Sequence, residues 1–460
     1  MLFAKSIMLK RRSSFLIKAA VLIGFAGMSN SLLAQDNSPY SRYGLGNVIS
    51  SSNITTRGMA GISAAYADYT SINFNNPASY SNFLVEKETR SNKLRNGRVV
   101  FDVGVSLSNR SLVAPNTVGK FTTSDLLISY LQVGIPLKKN WGLSFGLRPL
   151  SKISYKVDRF ERLINPTTGL PIDSAVTQFQ GTGGSYLPSI GTGFAIGKFS
   201  FGANVGYLFG SRESHTLRNL INDTVLYYAS DYTTNSSFGD LFFNAGAQYR
   251  IDINKTTVLR LGISGNLKQD INGSQDFLRQ TYSLGASGEE LQIDSVLRQN
   301  DVSGKVVYPA TYKAGFNLQR TKADFSGWQL GADFSKGKWD DYRFFGTKDS
   351  VADNWQVSIG GQLNPRPKEN YFSRIAYRFG LYAGRDYIHI RNNIPEWGAS
   401  FGMGLPLRTS RLSPYQYSII NLALEYGKRG NDDNLLKENI FRISASLNLS
   451  DLWFIKRKYD

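Results

Sequence analysis

Cysteine is absent from this 460-residue chain, and histidine occurs only at His215 and His389. Without cysteine there is no disulfide, no thiolate metal site and no cysteine nucleophile. Two histidines are too few for a histidine-rich metal site. Each has acidic residues nearby in the sequence, but neither forms a recognisable catalytic motif, and proximity in sequence does not define a triad. We therefore expect no enzymatic activity, no metal and no cofactor.

Acidic residues are also scarce, because 35 Asp and Glu stand against 53 Lys and Arg, which gives a formal charge of +18. The basic residues are dispersed along the chain and do not form a stripe that could follow a phosphate backbone. Gly-x-Gly patterns at 191–193 and 402–404 lie inside alternating segments with no helix after them, so they are not dinucleotide loops. We expect no nucleic-acid binding.

Long apolar runs are missing as well. The apolar stretch from Phe15 to Met28 follows a basic segment, contains Lys18, and precedes small residues that end at Ala34. This order is typical of a secretory signal peptide, and the stretch is short for a transmembrane helix. We predict that residues 1–34 are a signal peptide; a retained anchor helix is the alternative.

What the chain does contain is 44 glycines, 13% aromatic residues and a repeated alternation of apolar and polar residues. From Phe199 to Tyr207 every second residue is apolar, and the same pattern recurs at 259–264 and 441–449. A period of two predicts β-strands with one apolar and one polar face. Such strands occur in soluble sandwiches and in membrane barrels, so the connections have to decide between them.

About fourteen such segments follow one another, and their connections alternate in length. Tight connections near 138–140, 197–198, 254–256, 321–324, 365–371 and 407–414 alternate with longer polar stretches near 156–182, 211–237, 269–307 and 338–353. Outer-membrane barrels sort their connections in this way, with short turns in the periplasm and long loops outside. A secreted β-sandwich or propeller is the alternative. The segments lie near 98–109, 125–137, 141–155, 183–196, 198–210, 238–252, 257–268, 308–320, 325–337, 354–364, 372–386, 396–406, 415–428 and 437–449.

Tryptophans near the predicted strand ends support the membrane interpretation, because outer-membrane barrels carry aromatic girdles at both interfaces. We therefore predict an all-β fold, a transmembrane antiparallel β-barrel of about 14 strands in the outer membrane of a Gram-negative-type bacterium. The predicted barrel covers 97–454, and a periplasmic tail follows at 455–460. The tryptophans are Trp141, Trp328, Trp355, Trp397 and Trp453.

Charged residues on the polar faces are predicted to point into the barrel lumen. A lysine or arginine on the lipid side at mid-bilayer would cost about 2–4 kcal/mol, so inward placement is required. These charges either form an anion-conducting path or pair with one another and with a plug; we favour pairing, because a lumen of this size is wet or filled. The predicted lumen-facing charges are Asp102, Arg148, Arg250, Arg260, Lys313, Asp333, Arg374, Arg378, Glu425 and Arg442.

The segment before the first predicted strand is rich in small residues and lacks alternation. Its stretches 44–46 (GLG), 57–61 (RGMAG), 67–68 (AD) and above all Asn76-Pro77-Ala78 resemble the N-terminal hatch of the FadL-type long-chain fatty acid transporters. That resemblance implies a hatch at 35–96 that plugs a fourteen-stranded barrel. The hatch residues that carry it are Arg57, Asp68, Asn76, Pro77 and Ala78.

The resemblance further implies a passive route for hydrophobic molecules, with a kinked strand that opens a lateral exit from the barrel wall into the bilayer. Pro149 and Pro188 lie on adjacent predicted strands, and Gly183 and Gly184 lie near them. Proline cannot donate to the hydrogen-bond ladder, so this pair predicts a bulge or local unpairing. The alternative is a register bend near a rim without a functional role.

The partners implied are outer-membrane lipid and a hydrophobic small molecule. Shuttle barrels of the type IX secretion system resemble the same superfamily, so a surface barrel that binds secreted protein cargo on its long loops is the second hypothesis. A purely structural outer-membrane protein is the third.

Overall fold

A computed structural model describes residues 38–87, 94–114, 119–221, 228–284, 290–407 and 417–453. The predicted signal peptide at 1–34 and the predicted tail at 455–460 lie outside the described residues. No helix within the described ranges is both long enough and apolar enough to cross a membrane.

Across the described residues, nineteen strands and five single helical turns make up the molecule, and all the strands belong to one antiparallel sheet. The helical turns are Pro39–Arg42, Ile54–Arg57, Pro77–Asn82, Trp339–Asp341 and Tyr371–Arg374. The strands are β1 (Asn47–Val48), β2 (Val85–Lys87), β3 (Leu94–Val113), β4 (Lys120–Lys138), β5 (Trp141–Ile164), β6 (Pro171–Ile196), β7 (Phe199–Leu220), β8 (Ala229–Asp252), β9 (Thr257–Asn266), β10 (Gln269–Leu284), β11 (Glu290–Tyr308), β12 (Thr311–Thr321), β13 (Gly327–Gly337), β14 (Arg343–Phe344), β15 (Asn354–Asn364), β16 (Ala376–Ile390), β17 (Asn392–Pro406), β18 (Tyr417–Arg429) and β19 (Lys437–Trp453).

The sheet is a closed barrel of fourteen wall strands. β9 and β10 are two halves of one wall strand, because both pair with β8, and β11 and β12 pair with those halves in turn. β1, β2 and β14 are short additions, and β19 pairs with β3 along its full length to close the cylinder. The predicted fold class and strand number are confirmed.

The two faces of the wall differ as the alternation predicts. On β7, Phe199, Phe201 and Tyr207 expose between 42% and 52% of their surface on the outside. Asn204, on the opposite face of the same strand, is buried and donates from Nδ2 to the Phe74 carbonyl, 3.2 Å away. The outer face is therefore an apolar belt fit for lipid, and the inner face is polar. All five predicted girdle tryptophans are partly exposed, between 38% and 48%.

The strands on one side of the barrel are longer than predicted. Most of the predicted loops at 156–182, 211–237 and 269–307 is strand, so β5 to β8, β10 and β11 form a tall wall at the long-loop end. These strands have polar residues on both faces because both faces meet water beyond the belt. The alternation that marks a membrane strand is therefore lost there. The short connections lie together at the opposite end, which is expected to be periplasmic.

Candidate functional site

Residues 38–83 are called the hatch below, and most of them are buried against the wall strands. The helical turn Pro77–Asn82 contacts β4 to β8, whereas the turn Ile54–Arg57 contacts β17 to β19 on the other side of the barrel. One short segment can reach both sides only from within. β3 begins at Leu94, slightly before the predicted start of the barrel at 97.

The Asn76-Pro77-Ala78 element joins two turns of the hatch to the wall. Asn76 is fully buried, and its Oδ1 accepts from the Ala78 N–H at 3.1 Å, which caps the helical turn that Pro77 begins. Its Nδ2 donates to the carbonyls of Ala64, at 2.5 Å, and of Ile263 on β9, at 3.1 Å. The side chain thus satisfies backbone groups of the hatch and of the wall together.

Glycines in the wall permit this close approach. A methyl group added at Gly246 would collide with the Asn76 amide, and one added at Gly202 would collide with the Pro77 backbone. The wall is therefore shaped to the hatch at residue level, because a larger side chain at either position would displace it.

Replacing Asn76 with alanine tests this junction. Asn76→Ala removes the acceptor of the Ala78 N–H and one donor each from the Ala64 and Ile263 carbonyls, while Gln248 Nε2 still donates to the Ala64 carbonyl. Each buried group left unsatisfied costs about 1–3 kcal/mol. We expect the urea midpoint of unfolding to fall for protein in lipid nanodiscs, measured by tryptophan fluorescence. Asn82→Ala, at the half-buried end of the same helical turn, is the matched control and should change the midpoint little. Equal midpoints for both variants would contradict the assigned role of Asn76.

A buried charge cluster holds the other side of the hatch. Arg57 is 2% exposed, and its Nη1 donates to Ser106 Oγ on β3 at 2.7 Å. Arg57 Nε lies 4.0 Å from the Glu425 carboxylate on β18, and Arg442 Nη1 on β19 lies 3.2 Å from the same carboxylate. The single carboxylate of Glu425 is therefore shared by one guanidinium from the hatch and one from the wall.

Asp333 on β13 binds the middle of the hatch. Its Oδ2 accepts from the backbone N–H groups of Ser63 at 2.6 Å and Ala64 at 2.9 Å. Lys313 on β12 donates to Ser63 Oγ at 3.0 Å. Asp68 binds within the hatch itself, accepting from the Tyr66 hydroxyl at 3.0 Å.

Three predicted lumen arginines also lie on the inner face. Arg148 Nη1 lies 3.4 Å from Asn75 Oδ1, and Arg260 Nη2 lies 3.4 Å from Asn82 Oδ1, so both contact the hatch. Arg378 on β16 is 4% exposed and donates to amide side chains on the neighbouring strand β15 and on β18, two strands away. These residues fit a filled lumen better than an open anion path, because each donates to hatch or wall acceptors.

The remaining predicted charges differ in position. Asp102 is fully buried on β3. Arg250 lies at the rim of β8, where its Nε lies 2.7 Å from exposed Asp252. The prediction that Arg374 faces the lumen is wrong, because Arg374 ends an exposed helical turn and donates to the Lys368 carbonyl at 3.3 Å. Asn370 caps that turn, and β16 begins only at Ala376, whereas the predicted strand begins at 372.

An aromatic lid, which the sequence did not reveal, closes the long-loop end. It consists of residues 38–46 and 338–353, packed on Tyr387 of β16. The rings of Trp339 and Tyr387 lie 4.1 Å apart, and Asp349 Oδ2 accepts from the Gly44 N–H at 2.7 Å. Burial raises the pKa of the Tyr342 phenol, so this group stays neutral. The two segments are far apart in sequence, and their hydrophobic residues carry no period.

A chamber of about 440 Å³ lies between the lid and the hatch. Its lining includes the charged side chains of Arg148, Lys313, Asp333 and Glu425, and aromatic side chains such as Tyr308. An acyl chain would leave these charges without water, so the chamber suits a polar or amphipathic occupant better than a wholly apolar one.

The barrel wall has a gap between β4 and β5. Within the described residues these strands pair only from the turn up to Leu131↔Leu147. Beyond that level the free edge of β5 pairs with β1, in the register Asn47↔Lys152 and Val48↔Ser151. The gap is therefore covered from inside by the first residues of the hatch.

Both predicted prolines lie beside this gap. The β5–β6 ladder has a register shift between Pro149 and Ser151, and the β6–β7 ladder has no paired residues at Leu187 and Pro188. Gly183, with φ of 144°, and Gly184, with φ of 158°, lie on β6 opposite Ile153 and Lys152. The wall is thus bent and partly unpaired where the sequence predicts a kink.

A closed fourteen-strand barrel with a polar, occupied lumen and an apolar outer belt is an outer-membrane β-barrel. Solved structures share this fold. The CymD monoaromatic hydrocarbon channel is 15% identical, with a TM-score of 0.50 over 89% of this chain and 98% of that chain. A Pseudomonas aeruginosa FadL homologue is 11% identical, with a TM-score of 0.50 over 90% of this chain and 100% of that chain. No curated protein sequence matches.

The fold is therefore that of the FadL-type barrels, as the sequence resemblance predicts. The family itself follows from a direct match, because the BamG family model covers residues 16–460. The chain belongs to the BamG family.

Proposed function

We propose that this protein is a passive outer-membrane transporter that moves hydrophobic or amphipathic small molecules sideways, through the gap between β4 and β5. The observation that carries the proposal is the unpaired wall beyond Leu131 and Leu147, where the first residues of the hatch cover the edge of β5. A substrate would enter from the long-loop end and leave into the bilayer without crossing the periplasmic half of the lumen.

The surroundings of the gap support this route. The hatch and the lid obstruct passage along the barrel axis. The gap is covered by two paired residues of β1 and by the Ile49 N–H, which donates to the Leu150 carbonyl at 2.9 Å, and it is crossed by the ion pair between Lys152 on β5 and Asp125 on β4. On β4, Leu126 is 55% exposed and Ile128 is 66% exposed. An apolar substrate moiety would lie against these side chains, and its polar group would face the chamber.

A reversible disulfide tests the route. Val48→Cys with Ser151→Cys places two thiols at directly paired positions of β1 and β5, in a chain that has no other cysteine. Paired strand positions lie within the Cα separation that a disulfide spans. We expect oxidation to abolish uptake of a fluorescent hydrophobic probe into proteoliposomes, and reduction to restore it.

The matched control is Ser418→Cys with Leu449→Cys, a paired position between β18 and β19 on a continuous part of the wall. Oxidising this control pair should leave uptake unchanged. If the oxidised β1–β5 variant takes up the probe as fast as its reduced form, the route through this gap is wrong.

A sealed structural barrel is the second candidate, and a specific observation favours it. Glu425 and Asp333 on the wall bind Arg57 and the Ser63 and Ala64 N–H groups of the hatch through buried charge-assisted contacts, which resist displacement. Under this alternative neither redox state of the β1–β5 variant would take up the probe, and wild-type protein would not either. Uptake by wild-type protein therefore separates the two candidates.

A further inference from the structure

Two connections at the short-turn end form an exposed surface that the barrel wall does not require. They join β12 to β13 and β15 to β16, and the ion pair between Arg366 Nε and Asp324 Oδ2, 3.4 Å apart, links them. We call this surface the aromatic–basic platform. Its residues are Lys322, Phe325, Arg366, Lys368, Tyr371, Phe372 and Arg374.

The aromatic side chains of the platform are exposed beyond the lipid belt. Phe325 is 73% exposed and Phe372 is 66% exposed. The outward pair Arg320↔Trp328 ends the apolar rows of β12 and β13, because a charged arginine marks the level of the headgroups. Phe325 lies in the connection past this pair, so the membrane girdle does not account for its exposure.

The platform is held in a fixed shape. Phe325 has a φ of 61°, a conformation that bulky residues rarely adopt, and its N–H donates to the Lys322 carbonyl at 3.0 Å. In the second connection Asn370 Oδ1 accepts from the Phe372 N–H at 3.2 Å, and the Lys368 N–H donates to Ser373 Oγ at 2.8 Å. A strained turn that presents an exposed aromatic ring indicates a binding role, since solvent alone gives no reason to retain it.

Charge defines what the platform binds. Lys322, Lys368 and Arg374 are exposed and lie in the same two connections as the aromatic residues. Of the two acidic residues there, Asp324 is paired with Arg366 and Glu369 is exposed, so the platform keeps a net positive charge. Hydrogen bonds from Ser326 hold the pKa of Asp324 below its usual range, so that pair stays ionised at neutral pH. A second copy of this chain would bring like charges together, which disfavours self-association here. Lys138, Lys139, Lys198 and Lys255 lie in other turns at the same end, outside the platform.

We propose that the aromatic–basic platform docks a periplasmic protein that inserts Phe325 and Phe372 into an apolar pocket with an acidic rim. Phenylalanine and tyrosine anchors within a basic rim have the composition of a protein-binding hot spot. Anionic lipid headgroups would neutralise the basic residues but offer no pocket for rings that lie beyond the belt. This inference goes beyond the proposed transport and does not depend on it.

Site-specific cross-linking followed by direct binding tests the proposal. A photoreactive phenylalanine analogue at position 325 or 372 should cross-link one periplasmic protein, identified by mass spectrometry. That protein is then purified and titrated against the full chain in neutral-lipid nanodiscs. Phe325→Ala with Phe372→Ala should weaken binding at least about 30-fold, which corresponds to about 2 kcal/mol, the loss expected from a single hot-spot residue. Lys322→Glu with Lys368→Glu should weaken it similarly and remove its salt dependence.

Lys198→Glu with Lys255→Glu, in two other turns at the same end, is the matched control and should bind like wild type. Folding of each variant is checked by gel electrophoresis, because a closed barrel resists detergent until heated and its mobility therefore changes on boiling. Equal binding of the purified protein to wild type and to both platform variants would overturn the proposal. So would a platform that binds phosphatidylglycerol vesicles and cross-links to no protein, because the surface would then serve lipid headgroups.

Discussion

Deleting residues 38–83 is expected to turn a closed barrel into a pore for small polar solutes. The deletion removes the hatch and half of the lid, while the fourteen wall strands and their closure between β3 and β19 remain. A barrel of this strand number without a plug encloses a wet lumen lined by charges such as Arg148 and Asp333. In a liposome-swelling assay with small sugars, we expect permeability to rise from the vesicle background to that of an open barrel.

The matched control for the deletion is the Lys198→Glu, Lys255→Glu variant, which keeps the hatch and should stay at background. A boiling-dependent gel shift must show that the deleted protein has inserted, because a closed barrel resists detergent until heated. If wild-type protein is already permeable and the deletion leaves permeability unchanged, the hatch does not close the lumen.

Replacing Arg57 with alanine is expected to destabilise the folded protein by about 3 kcal/mol, at the lower end of the range for breaking a buried ion pair. The lower end applies because Arg442 still neutralises Glu425 after the change. The loss should appear as a lower urea midpoint in nanodiscs.

The Arg57 effect is separated from general damage by a double-mutant cycle with Glu425→Gln. If Arg57 and Glu425 act together, the double variant should lose less stability than the sum of the two single variants. Fully additive losses would show that the serine and carbonyl partners of Arg57 carry its contribution, and that the ion pair contributes little.

The barrel could be predicted from sequence because each membrane strand has one face in contact with lipid and one face toward the polar lumen, which produces an alternation of apolar and polar residues. Phe199 to Tyr207 alternates since lipid lies on one side of β7 and the hatch on the other. The hatch prediction rests on the opposite feature, because its small residues lack a period and Asn76-Pro77-Ala78 gives it a recognisable turn. The irregular ladders at Pro149 and Pro188 are explained by the missing N–H of proline.

The remaining features could not be predicted because they depend on contacts distant in sequence. The pairing of Val48 with Ser151 joins two residues with no shared pattern, and the aromatic lid joins residues 38–46 to 338–353. The tall wall was missed because water on both faces removes the alternation. Arg374 was misplaced because a capped helical turn interrupts the period just before β16.

The hydrogen bond from Ser38 Oγ to Glu438 Oε1, at 2.8 Å, joins residues 400 positions apart and constrains how the molecule is assembled. Ser38 belongs to the first described residue stretch, and Glu438 lies on β19, which is synthesised after the other wall strands. This bond and the Arg57 contact with Ser444 therefore form only after β19 has been translocated. Contacts of such long sequence separation form slowly. The contacts of the N-terminal segment with β19 can therefore form only when β19 is available, and the segment is enclosed as β19 meets β3. A chaperone or insertase that receives this chain has to keep the N-terminal segment soluble until β19 arrives.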